Sequence, residues 1–449
     1  MTSTGLPDGI AEWVASVGGG AVTRLERHVA RREAWVVDVT RADGSVLEGF
    51  LRLEREPIDA DPWSLGKETR IVEALASTPV PVPMVHGRSE RPSATLFARA
   101  PGRSDLPAVG SGQQRAVMEH FIDIVADLHR IDIASLHLDD LARPTTPAEC
   151  ALGELDLILD RWSGFLASYH DPLITFGVRW LRRHVPAQVS RVCLVQGDTG
   201  PVNFLFDGDR VSAVIDWEWG HFGDPMEDLG NICVREFWNP SGGLDGLFRR
   251  YEAASGIPYD ADAVRYYRVQ QNVRGMIPIH AITRHAHPQE PVAWYLAYRY
   301  VGDRATCEAL AEAAGIEVDA PELPAEEDGD DVLVEAARFA ISHDIASALD
   351  QPFASSRLHD VDILLQCMDR RRRYQPALAA RDLDDLEQLL GAPPSTPASG
   401  AAALDEAILA DRVGDHEVIR YLCRRALRDE WLWAPAVSLY PDRRWSAID

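Results

Sequence analysis

The chain has 449 residues, a formal net charge of -25 and 46% hydrophobic residues, which describes a globular protein long enough for two or three domains. That apolar fraction excludes a disordered or collagen-like chain. Six scattered cysteines in so long a sequence exclude a disulfide-stapled miniprotein, and the acidity argues against a nucleic-acid partner. Only one of the 45 Lys and Arg residues, Lys67, is a lysine, so chemistry that ordinarily uses lysine falls to that residue or to an arginine.

Residues 1–10 contain no basic start followed by an apolar run, so no secretory signal is expected. No stretch approaches the ~18 consecutive apolar residues of a membrane span. Cys150, Cys193, Cys233, Cys307, Cys367 and Cys423 form no CxxC pair, which argues against zinc and suits buried, reduced thiols in a cytoplasmic protein.

Residues 1–101 read as a small α+β lobe. Strands over 34–39 and 46–53 flank a turn at Ala42-Asp43-Gly44-Ser45. A helix over 67–76 follows, stopped by Thr78-Pro79-Val80-Pro81, and a strand over 95–98 ends at Pro101-Gly102. No compact glycine-rich loop precedes Trp35. From about 113 the pattern turns helical, with Val117, Phe121, Ile124, Val125 and Leu128 at spacings of three and four, and His129 reads as a cation at that helix end. The segment 102–320 is mainly helical around a hairpin-rich patch at 192–219. Residues 321–331 read as an acidic linker, and 332–449 as a further helical domain with a flexible loop at 391–400. Arg370 to Arg373 read as a solvated helix face, and Trp431 and Trp433 as packing the tail onto the body.

The hairpin patch carries the chemistry. An apolar run from Cys193, a polar loop Gln196-Gly197-Asp198-Thr199-Gly200-Pro201 and a second apolar run to Phe206 lead into the turn Asp207-Gly208-Asp209 and the strand Val211 to Ile215. If Phe206 faces Val211, Asn203 lands opposite Val214, so Asn203 and Asp216 share one open end and Asp198 lies in the loop feeding it. An amide oxygen with one carboxylate suits Mg²⁺, which keeps waters and completes its shell with substrate phosphates. The remaining Asp can orient an attacking hydroxyl, as phosphoryl transfer requires.

Asp198 followed five places later by Asn203, then Ile215-Asp216-Trp217-Glu218, Gly223-Asp224-Pro225 and Asp228-Leu229, resembles the aminoglycoside phosphotransferase and choline kinase-like family of small-molecule kinases. The resemblance covers roughly residues 20–315. It implies a two-lobed protein-kinase-like fold with ATP or GTP in the cleft, Asp198 as catalytic base, and Asn203 and Asp216 as Mg²⁺ ligands. The run from Val214 to Leu229, with Cys233-Val234-Arg235 after it, is most similar to the branch associated with acyl-CoA dehydrogenases, which implies a hydroxyacyl-CoA or hydroxy-acid acceptor. Asp224-Pro225-Met226-Glu227 reads as a capping-box helix start, which gives Asp224 a structural role, and the same is expected of Asp228. His221 reads as structural.

Two departures from the family pattern stand out. Gln196 replaces the His before the Gly-Asp pair, and it can brace the loop by hydrogen bonds but cannot ionise near neutral pH. The third strand carries Arg52 where the family often has Lys, with Glu68 on the next helix as its partner. Arg52 would bridge phosphate and Glu68 with a permanent charge. The expected activity is therefore phosphoryl transfer from ATP or GTP to a small-molecule hydroxyl. The alternatives are an aminoglycoside-type antibiotic kinase and an inactive nucleotide-binding regulator. The composition of 332–449 does not choose between capping the kinase lobe, forming a homodimer and contacting an acyl-CoA enzyme.

Overall fold

Apolar alternation along the first strands decides what each sheet face meets. The computed structural model describes residues 6–28, 33–54, 62–107, 110–288, 290–326, 331–350 and 352–448. After helix α1 (Ile10–Gly18) come strands β1 (Gly20–His28), β2 (Ala34–Arg41) and β3 (Val46–Glu54), helix α2 (Leu65–Leu75), and strands β4 (Val85–Glu90) and β5 (Ser93–Ala98). The strands form one antiparallel sheet in the order β1-β2-β3-β5-β4. Trp35, Val37 and Val39 of β2 and Leu47, Leu51 and Leu53 of β3 bury against Ile10 and Val14 of α1. With a side-chain period of two, Arg52 must point to the opposite face. Its register partner is Thr95, and α2 covers that face, with Thr69 and Thr95 hydroxyls 2.7 Å apart.

The expected hairpin, α2 and β5 are present, while α1, β1 and β4 are additions. Both added strands lie at sheet edges. Their partly exposed sequences, GAVTRLERH and VHGRSE, show little apolar alternation. Residues 29–32, between β1 and β2, lie outside the described set.

Helices α3 (Gly112–Arg130), α4 (Pro147–Arg161), α5 (Ser163–Leu166) and α6 (Pro172–Arg183) precede four short strands: β6 (Cys193–Val195), β7 (Phe204–Asp207), β8 (Arg210–Val214) and β9 (His221–Gly223). The remainder is helical: α7 (Pro225–Trp238), α8 (Leu247–Ser255), α9 (Ala261–Arg284), α10 (Val292–Ala313), α11 (Val332–Phe339), α12 (Pro352–Leu390), α13 (Pro397–Leu409), α14 (Asp415–Leu432) and α15 (Ala434–Val437). The described residues of 1–150 and 188–260 pack as one unit, and those of 151–187 and 261–448 as another. This grouping differs from the sequence-based segments in placing 151–187 and 261–320 with the C-terminal helices. Contacts such as those of α6 with α9 and α10 with α14 are made between residues distant in sequence, so no local shift in composition marks the boundary.

Two local expectations in the second unit change. The loop expected at 391–400 is shorter, because Thr396 and Ser399 form a capping box and α13 begins at Pro397. Of the expected linker, residues 327–330 lie outside the described set. Arg370 does not lie on a solvated face: its guanidinium sits 4.4 Å from the Trp431 ring centroid and donates to the Trp431 carbonyl at 2.9 Å. Trp433 stacks on Tyr300, with ring centroids 4.8 Å apart, as expected of a residue packing the tail. All six cysteines are free and buried, and burial lifts Cys150 to about 12 and Cys367 to about 11, far from a reactive thiolate. Among the described residues no helix is long and apolar enough to cross a membrane.

The second unit also holds a carboxyl group that titrates late. Burial, and less strongly the charge of Asp171, push Asp405 up to about 6, against the Thr175 hydroxyl and His170, which lower it. A carboxyl whose folded value is raised binds its proton more tightly when folded. Its contribution to stability is therefore complete below the unfolded value near 4 and is lost as pH rises through about 6. Asp405→Asn is expected to flatten the fall in melting temperature between pH 4 and pH 6, measured by thermal melts across that range. An unchanged slope would contradict this.

Candidate functional site

The β7–β8 hairpin sets the site. Phe206 faces Val211 as expected, but a bulge between Leu205 and Phe206 puts Phe204, and not Asn203, opposite Val214. Ser212, the extra residue, turns its hydroxyl to the Pro101 carbonyl. The Asn203 carbonyl then accepts from Ile215 N–H at 3.0 Å, so Asn203 and Asp216 still close the same end. Asp216 takes φ +57° and Val202 φ +73°, left-handed values that cost a non-glycine residue free energy and gather at ligand sites.

The loop from Gln196 to Asn203 is held from below by Asp228, in the first turns of α7. Gln196 N–H and Gly197 N–H donate to the Asp228 carboxylate at 2.9 and 3.0 Å, and the Thr199 hydroxyl donates to it as well. His129 Nε2 meets the same carboxylate at 3.0 Å, and its Nδ1 lies 2.8 Å from the Tyr251 hydroxyl. Burial would raise Asp228, but the hydrogen bond and charge of His129, Thr199 and the Gln196 N–H outweigh it and hold the carboxyl below its ordinary value. His129 is thus not solvated at its helix end: it is fully buried and ties α3 and α8 to the loop anchor. Gln196 braces the loop as expected, donating to the Ile215 and Asp216 carbonyls at 3.0 and 2.9 Å and accepting from Asp198 N–H at 3.2 Å.

Glycine is needed where the loop turns. Gly197 has φ +78°, and a Cβ there would lie 2.4 Å from the Trp219 carbonyl oxygen.

Above the loop the charged residues converge. Asn203 Nδ2 donates to Asp198 Oδ2 at 2.8 Å, and Arg235 Nε donates to Asp198 Oδ1 at 3.0 Å, with Arg235 Nη2 on Oδ2. Arg52 Nη1 lies 2.7 Å from Glu68 Oε1 and 3.1 Å from Asp216 Oδ1, and Nη2 lies 3.9 Å from Glu218 Oε2. All five expected residues, Arg52, Glu68, Asp198, Asn203 and Asp216, therefore lie within this one packed unit, in two linked clusters. Lys67 is buried and does not take the place of Arg52 on the strand.

The donor set suits a hard cation that keeps part of its shell for phosphate. Among the described residues no hydrogen bond reaches Asn203 Oδ1 or Asp216 Oδ2. That leaves one amide oxygen and one carboxylate oxygen at the open end of the hairpin. No three His, Cys, Asp or Glu among those residues are grouped so that they could hold a metal by themselves.

Neighbouring residues expected to be structural are so placed. Asp224 caps α7 by accepting from Met226 N–H at 2.9 Å with Pro225 at the first helical position. Glu227 does not complete a capping box. Its carboxylate meets His221 Nε2 at 3.1 Å, while His221 Nδ1 lies 2.8 Å from the Trp219 carbonyl. The parts that sequence reasoning missed are Arg235, Glu218 and the His129–Tyr251 support. The available signal was the seven-residue step from Asp228 to Arg235, two turns along one face of a helix.

Residues 32–267 match the model of the phosphotransferase enzyme family. The chain is 26% identical over 228 residues to acyl-CoA dehydrogenase family member 11 of Rattus norvegicus, covering 48% of this chain and 28% of that protein. It is 25% identical over 228 residues to acyl-CoA dehydrogenase family member 10 of Mus musculus, covering 47% of this chain and 20% of that protein. The match thus spans less than a third of either relative. Among solved structures, a Ralstonia eutropha protein described as an aminoglycoside phosphotransferase superposes with a TM-score of 0.53 at 21% identity, covering 67% of this chain and 94% of that one. At that identity the likeness is one of fold.

Proposed function

Because the chain belongs to the phosphotransferase enzyme family, we propose that it is a kinase that moves the γ-phosphoryl group of ATP or GTP to a hydroxyl of a small molecule, a hydroxyacyl-CoA or hydroxy acid. Its fold is the family's protein-kinase-like one, a mixed N-terminal sheet lobe followed by a largely helical remainder. In this reading residues 1–101 hold the nucleotide and 102–320 carry the reacting groups. The observation that supports it most is the convergence at the hairpin end: Asp198 beside Asn203, and Asp216 beside an Arg52 already paired with Glu68. The acyl-CoA acceptor is supported by the names of the relatives.

Each residue has a distinct task. Asp198 accepts the proton of the acceptor hydroxyl. The oxygen lone pair so released forms a bond to the γ-phosphorus as the bond from that phosphorus to the β–γ bridging oxygen breaks. The electron pair of the broken bond stays on the departing nucleoside diphosphate, and Asp198 returns its proton to solvent. Arg52, oriented by Glu68, pairs with phosphate oxygens through its planar fork. Asn203 and Asp216 would hold a Mg²⁺ ion, which when bound offsets the charge of the phosphates. The Asp228 bonds keep the loop in place before any ligand arrives, so no reorganisation is needed at the moment of reaction.

Purified protein given Mg²⁺, ATP or GTP, and a panel of 3- and 4-hydroxyacyl-CoAs is expected to yield a phosphorylated acyl-CoA and nucleoside diphosphate, detected by mass spectrometry. Absence of phosphorylated product and of nucleotide hydrolysis, with wild type indistinguishable from Asp198→Ala, would overturn the proposal.

A further inference from the structure

Helix α7 presents two charged residues to the same loop. Asp228 takes the loop N–H groups, and two turns later Arg235 reaches the Asp198 carboxylate. The stem of Arg235 crosses the loop at Gly200, where φ is +140° and a Cβ would lie 2.7 Å from Arg235 Cβ and 2.8 Å from its Cγ. Any other residue at position 200 would displace either the loop or the arginine, so the close approach is built into the backbone.

Counting lone pairs then singles out one atom. Each carboxylate oxygen offers two. Among the described residues, Asp198 Oδ2 receives both Arg235 Nη2 and Asn203 Nδ2, whereas Oδ1 receives only Arg235 Nε, at 3.0 Å. One acceptor direction is left, on Oδ1. A lysine would supply the charge without the two parallel N–H bonds that hold the carboxylate plane.

We propose that Arg235 is a positioning residue of the phosphoryl transfer, fixing the Asp198 carboxylate so that Oδ1 presents its open lone pair to the acceptor hydroxyl. This rests on the phosphotransferase reading above. It adds which oxygen takes the proton and which residue selects it. The electron flow is unchanged: the hydroxyl proton moves to Oδ1, the hydroxyl oxygen bonds to phosphorus, and the bridging oxygen leaves with its electron pair.

Wild type, Arg235→Lys and Arg235→Ala are compared in Mg²⁺-dependent ATP hydrolysis, with water in the place of the hydroxyl, and in the acyl-CoA panel. Thermal melts and nucleotide titration serve as folding controls. Arg235→Lys is expected to lower kcat about 10²-fold, the usual consequence of a base displaced by about 1 Å, with KM for ATP within about twofold because the nucleotide contacts lie elsewhere. Guanidinium ion should restore part of the kcat of Arg235→Ala, and ammonium should not. Independently of turnover, the Asn203 side-chain amide resonances should move in Arg235→Lys while the backbone amides of β2 and β3 stay in place.

Wild-type kcat in Arg235→Lys, or Asn203 amide resonances unchanged by the substitution, overturns the proposal. Wild type without turnover on any substrate overturns the phosphotransferase reading instead. In that case the Asn203 resonances alone decide whether Arg235 holds Asp198.

Discussion

Replacing Asp198 by asparagine is expected to lower kcat about 10²–10⁴-fold, the range that a positioned general base contributes, with a properly folded product. The amide is the same size but cannot take the hydroxyl proton, and one of its two former oxygens becomes an N–H donor facing the Arg235 fork or Asn203 Nδ2. The loop survives, because Asp228 holds Gln196, Gly197 and Thr199 without help from Asp198. Loss of the partly exposed Asp198–Arg235 pair costs on the order of 1 kcal/mol or less. Steady-state hydrolysis assays with parallel melting curves check both statements. Turnover within tenfold of wild type would remove Asp198 as the base.

Arg52→Ala is expected to have the larger effect on stability and to remove nucleotide binding as well. Arg52 is mostly buried and Glu68 almost wholly so, and Asp216 and Glu218 approach the same guanidinium. Removing Arg52 takes away the guanidinium that Glu68, Asp216 and Glu218 share. Breaking a buried pair by deleting one partner costs about 3–5 kcal/mol, reduced here because Asp216 is half exposed. Arg52→Lys should recover much of the stability and less of the nucleotide affinity, since one ammonium cannot serve Glu68, Asp216 and a phosphate with the same geometry. Calorimetric titration with ATP and Mg²⁺, together with chemical denaturation, separates the two effects. Unchanged nucleotide affinity in Arg52→Ala would take Arg52 out of the phosphate site.

These two positions also show what could be read from residues alone. Asp198, Asn203 and Asp216 were legible because a polar loop between two apolar strands and a turn at Asp207-Gly208-Asp209 leave little freedom in how the chain doubles back. Arg52 and Glu68 were legible through the family resemblance, which implies a third-strand cation held by a glutamate of the next helix, and the two side chains do meet, 2.7 Å apart. The roles of His129 and Arg235 were not legible. His129 lies 99 residues from Asp228, and Arg235 lies 37 from Asp198, and local patterning does not report which distant groups meet. The bulge at Ser212 was missed for a subtler reason: alternation persists on both sides of it, so a regular ladder and a bulged one look alike in sequence. The tail helices were legible as helices, but their grouping with 151–187 and 261–320 depends on interhelical packing that amphipathic spacing leaves open.

That bulge has a consequence for how the gene can vary. Ser212 is the residue left without a partner, so the pairs Phe206–Val211, Leu205–Ala213 and Phe204–Val214 do not depend on it. Dropping it would leave a regular ladder in which Val214 still faces Phe204 and the carboxylate after Ile215 still emerges beside Asn203. What would be lost is the bond of the Ser212 hydroxyl to the Pro101 carbonyl. Loss of the codon for residue 212 should accordingly be tolerated among working descendants.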